Sequence, residues 1–73
     1  MKKAEVLEYQ RELKEHLQKA YDLAGGLRDI FTGQEEYAGV LKEYCNTMRG
    51  LIGEAQKPAY KLGYEIKEKY QDS

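Results

Sequence analysis

Apolar residues recur at alternating three- and four-residue steps along nearly the whole chain, and that period predicts helices throughout. In the first half one row reads Val6, Gln10, Leu13, Leu17, Ala20, Ala24, Leu27 and Phe31. Beside it runs a second row of Tyr9, Leu13, His16, Ala20, Leu23, Leu27 and Ile30, so the two together describe a broad helical face rather than a narrow seam. The second half continues with Tyr37, Leu41, Tyr44, Met48, Leu51 and Ala55, and past Pro58 with Ala59, Leu62, Ile66 and Tyr70. No two-residue alternation competes with this period, which makes the chain all-α.

The first helix is expected over residues 3–31, a length of roughly 44 Å at the standard rise. Gly25 and Gly26 each cost about 1 kcal/mol inside a helix. A left-handed cap at that pair would rotate the following segment, yet Leu27, Ile30 and Phe31 keep the phase of Leu13, Leu17 and Ala20. A continuous or gently kinked helix therefore fits better than a break. Ala20, Ala24, Gly25 and Gly26 would form a flat shelf, with Gly39 brought opposite it by a turn, for close helix packing.

That turn is expected at residues 32–34. Thr32 followed three residues later by Glu35 spells a capping box, and Glu35 with Glu36 suits the positive end of a new helix. The second helix is expected over 34–56, with Tyr37, Leu41, Tyr44, Met48 and Leu51 inward. Pro58 disfavours helix at Lys57, so residues 58–70 are either a third helix or a kinked continuation. Residues after Tyr70 should fray.

At 73 residues the chain is a single domain with a small core, so self-association as a homodimer is expected. Charge is abundant but balanced, 12 Lys and Arg against 13 Asp and Glu. With no basic patch, nucleic acid is not an expected partner. Glu8 with Arg11, Glu15 with Lys19 and Glu65 with Lys69 stand at helical spacing. Cys45 is the sole cysteine, so no internal disulfide can form. Neither a signal-peptide pattern nor a run of 18 or so apolar residues is present, so no membrane association and a cytoplasmic location are expected.

Candidate chemistry is sparse. Glu12 and His16 share a helix face, but a zinc site needs three or four ligands and the di-iron bundles use Glu-x-x-His, where this chain has Leu13. The only serine is Ser73, and no glycine-rich phosphate loop follows a strand. We therefore expect no enzyme, no metal and no cofactor. Helix 2 carries Glu35, Glu36, Glu43 and Glu54 against Lys42 and Arg49, which argues against a DNA-reading second helix.

The tyrosines carry more information: there are 7, against one Phe and no Trp. Tyr37 and Tyr44 fall on the stripe and are expected to be half-buried. Tyr60 and Tyr64 stand one turn apart off the Ala59, Leu62, Ile66 row, and with Lys61 and Lys67 they form the expected partner-binding ridge.

Phe31-Thr32-Gly33 resembles the Trp-x-Gly turn of the small helical-hairpin proteins exported by type VII secretion, with Phe in place of Trp. Tyr64-Glu65-Ile66-Lys67-Glu68 is similar to that family's Tyr-x-x-x-acid tail pattern. The resemblance implies an antiparallel hairpin that pairs as a dimer, although both arms here are shorter than the family's.

The expected architecture is an antiparallel helical hairpin plus a short C-terminal helix, closing as a three-helix bundle or as a dimeric helical bundle. The expected function is a non-catalytic protein–protein interaction module that binds and regulates a partner as an inhibitor, adaptor or chaperone. A self-assembling structural homo-oligomer is the alternative, and a hairpin of the type VII secretion kind a further one.

Overall fold

The computed structural model, which describes residues 1–36 and 38–72, consists of two antiparallel helices, α1 (Lys3–Thr32) and α2 (Val40–Lys69). Each has 30 residues, and together they make a hairpin measuring 55 × 15 × 12 Å. No strand occurs among the described residues.

α1 passes through Gly25 and Gly26 without interruption, and no described residue has a positive φ. It ends at Gly33, whose right-handed backbone lets its N–H reach Ile30 O while the Gln34 N–H reaches Phe31 O. The expected capping box does not form. Thr32 lies inside α1 and donates its hydroxyl to Arg28 O at 2.7 Å, the backward bond typical of a helical threonine. α2 accordingly starts six residues later than expected, at Val40, with Gly39 as N-cap and no side-chain cap. Glu35 and Glu36 sit in the connection rather than in the first turn of a helix, a position that falls instead to Glu43. Tyr37, expected to face inward, lies outside the described residues.

Pro58 does not open a third helix; α2 runs through it to Lys69. The physical reason is register. Cys45, Ile52, Ala59 and Ile66 recur at seven-residue steps on both sides of Pro58, and all are buried or half-buried against α1. Breaking the helix would pull one half of that row off its partner. The missing N–H and ring clash, about 3 kcal/mol, are outweighed by keeping both halves packed.

Of the expected inward row, Gln10, Leu17, Ala24, Phe31, Ala59 and Ile66 do face inward, but most of its other members are replaced by the residue that follows each in sequence, a rotation of about one residue on α2 before Pro58 and of less on α1. On α1 the seam comprises Lys3, Leu7, Gln10, Lys14, Leu17, Tyr21, Ala24 with Gly25, Arg28 and Phe31, all buried or half-buried. On α2 it comprises Lys42, Cys45, Arg49, Ile52, Gln56, Ala59, Gly63 and Ile66. Leu13 and Leu27, expected inward, are exposed, as are Tyr44, Met48 and Leu51. The seam is built on small and polar side chains because they allow the helices to approach closely. Gln10 is buried and donates to Ala59 O at 2.8 Å, and its amide occupies the space where a Gly63 Cβ would stand, 2.7 Å from Nε2. The Arg49 guanidinium stacks on Tyr21 at 3.9 Å and crosses Gly25, whose Cβ would lie 3.1 Å from Nε.

Of the expected shelf, then, Ala24 and Gly25 are buried and Ala20 is half-buried, whereas Gly26 and Gly39 face open space. The close approach opposite Gln10 is made by Gly63 instead. At the open end the termini are clasped: Tyr70 Oη donates to Met1 O at 2.9 Å and Lys3 Nζ to Lys67 O at 2.9 Å. Asp72, expected to fray, instead accepts the Lys3 N–H and so satisfies an orphan donor of α1.

Urea unfolding tests this packing at three positions. Gly26→Ala should stabilise by about 1 kcal/mol, the helix-propensity gain. Gly63→Ala should forfeit that gain and destabilise by about 1 kcal/mol, because displacing the buried Gln10 amide loses about 1–3 kcal/mol; equal gains at both positions would contradict the interlock. Pro58→Ala should raise the urea midpoint, by about 1–3 kcal/mol of stability, if α2 is one helix; a lower midpoint would mean that a break at Pro58 matters.

Candidate protein interface

The large apolar side chains that the seam does not use form a second surface. On α1 they occupy the positions immediately before each seam residue: Val6, Tyr9, Leu13, Ala20, Leu23, Leu27 and Ile30, with His16 among them. On α2 the same offset gives Leu41, Tyr44, Met48, Leu51, Ala55, Pro58 and Leu62. One residue is a rotation of about 100° round a helix. Because the helices are antiparallel, an equal offset on each turns both rows to the same side of the hairpin.

The open end shows this directly. Val6, Tyr9 and Leu13 from α1, Leu62 and Ile66 from α2 and Tyr70 just past its end line one groove whose surface is almost wholly apolar. Further along, Leu23 is 60% exposed and Leu51 66%. No side chain in the described chain is completely buried, and the buried apolar residues are only Ala24, Cys45, Ala59 and Ile66. Soluble monomers seldom leave this many large apolar side chains exposed along one side.

The opposite side is polar. Gln56 bonds Gln18 there at 3.0 Å, and Tyr21, Asn46, Arg49, Gly50, Gly53, Glu54 and Lys57 line a shallow cleft. Tyr60 and Tyr64 are 59% and 64% exposed. Tyr60 lies under the Lys14 ammonium at 5.0 Å, Lys67 follows in the same helical row, and Lys61 points further outward into solvent. These four residues therefore form a surface separate from the apolar face.

Surface ion pairs join Glu8 to Arg11, Glu54 to Lys57 and Glu65 to Lys69; such exposed pairs contribute little. His16 is exposed on the apolar face, whereas Cys45 is buried in the seam nearer the turn, level with residues beyond Gly25. Among the described residues no cluster of three or more metal-ligating side chains forms, and no helix is long and apolar enough to cross a membrane. Phe31 and Gly33 do lie at the hairpin corner, and Tyr64 to Glu68 form part of α2 rather than a tail beyond it. Ser73 lies outside the described residues.

No protein-family model, curated protein or solved structure matches this chain. Its site is defined by its own geometry.

The apolar face consists of residues that the periodicity places on the helices but assigns to the interior. The distinguishing signal was present: each helix carries two adjacent rows at heptad spacing, and a two-helix hairpin can bury only one of them. Tyr60→Ala plus Tyr64→Ala should lower stability by less than about 1 kcal/mol, the size of one exposed cation–π contact. Thermal unfolding checks this, and a loss several times larger would place the two rings in the core.

Proposed function

We propose that this chain is a non-catalytic protein–protein interaction module that binds a partner protein through the apolar face and regulates it, as a small inhibitor, adaptor or chaperone does. The exposed row pair from Val6 to Ile30 and from Leu41 to Leu62 carries this reading, since polar seam residues are used where apolar ones stood available. The Tyr60, Tyr64, Lys61 and Lys67 surface is suited to a further contact of a more polar kind. We assign the protein to the cytoplasm, a reading supported by the lone free thiol of Cys45. Self-assembly is the second reading, and the heptad spacing of both exposed rows favours it.

The test is retention of partner protein on the tagged chain, in a native extract supplemented with untagged copies. Wild type should hold a protein that Leu23→Glu plus Leu51→Glu releases while circular dichroism shows retained helicity. Retention unaffected by that pair, or no retention by wild type, would contradict binding through this face.

A further inference from the structure

We infer that the protein covering the apolar face is a second copy of this chain, with the two hairpins face to face about a two-fold axis along their length, so that each α1 lies on α2 of the other copy. This rests on the protein-binding reading above and names its partner. The first support is area. A compact monomer of 8.5 kDa exposes about 4,700 Å², whereas this hairpin exposes 5676 Å². The excess, about 1,000 Å², is on the order of the ~800 Å² that each partner buries in a stable complex.

The second support is pattern. The exposed rows repeat the same three-four alternation as the buried ones from Val6 to Ile30 and from Leu41 to Leu62, over roughly 30–36 Å at the standard helical rise. Two helices need that alternation to interlock along their length, and a globular partner does not. A surface that must match itself is the rule for two-fold pairs.

Charge selects the axis. A two-fold along the length keeps every residue at its own height, so the hairpin itself fixes the register. Gln18 bonds Gln56 and Tyr21 lies against Gly53, which brings Glu12 level with Lys61 of the second copy and Lys19 level with Glu54. All four side chains are exposed, at the positions of their helices farthest from the seam and so between the apolar face and the polar side, where Glu54 also lines the cleft. Toward the open end Glu5 comes level with Glu68 and Glu8 with Glu65, where Arg11 and Lys69 already pair with Glu8 and Glu65 and Lys2 is at hand. An axis across the length would instead stack α1 on α1 and α2 on α2, setting Lys19 beside Lys19 and Glu54 beside Glu54. Like charges so placed oppose pairing.

Light scattering of the purified chain across the micromolar range should give twice the 8.5 kDa chain mass, with a melting temperature that rises with concentration. Leu23→Glu plus Leu51→Glu should halve the mass with helicity retained, and Tyr60→Ala plus Tyr64→Ala should leave it unchanged. Carbodiimide treatment of mixed isotope-labelled and unlabelled wild type should link Glu12 to Lys61 and Lys19 to Glu54 between copies. A monomeric wild type, a mass beyond two copies, a dimer lost in the tyrosine variant or kept in the glutamate variant, or links confined to α1 with α1 would each overturn the inference. If the chain is monomeric and the leucine pair still governs capture of another protein, the second copy is excluded and the protein-binding reading stands. If it is monomeric and captures nothing, both fall.

Discussion

Two antiparallel helices can hide only one stripe of each from water, and every feature of this chain is shaped by its carrying two. The stripe turned inward is the one with small and polar members: Gln10, Ala24, Gly25, Cys45, Ala59 and Gly63. These let the helix axes come close and lock the register by specific fits, the Gln10 amide over Gly63 and the Arg49 guanidinium over Gly25. Turning the larger stripe inward would hide more apolar area but leave the Gln10 amide without Ala59 O. A buried amide left unpaired loses more free energy than a single bond gains, so the polar fits decide which stripe wins.

That choice sets the mechanics of the rest. α2 stays continuous through Pro58 because its seam residues straddle the ring in register, and the terminal clasp between Tyr70, Lys3, Lys67 and Asp72 closes the open end. A hairpin held by small, close contacts along one seam leaves its remaining apolar face exposed. It is not, by itself, a well-filled globule: its largest buried side chain is a single isoleucine, Ile66.

Much of the fold was legible in the sequence. The retained phase across Gly25 and Gly26 implied one long α1, and the reversal expected at residues 32–34 overlaps the start of the actual connection between Thr32 and Val40. The local turn chemistry misled, because Thr32 uses its hydroxyl on Arg28 O once α1 extends to include it. The orientation of the helices was less legible for a physical reason. Periodicity marks which positions are apolar, and the expectation that the most apolar row faces inward neglects how closely backbones can approach when Gly63 and Gly25 stand in the way of nothing. Gln10 lay on the expected stripe as its one polar member, and that exception was the signal for the true seam. Tyr60 and Tyr64 stand exposed off the seam, on the side of the hairpin away from the larger apolar face.

The central claim is that the apolar face is covered in the protein's working state. Met48 lies on that face and Met1 outside it, both exposed in the single hairpin, so peroxide oxidation compares the two within one molecule. The account predicts that Met48 oxidises progressively more slowly than Met1 as protein concentration rises. Equal oxidation of the two at every concentration would contradict it.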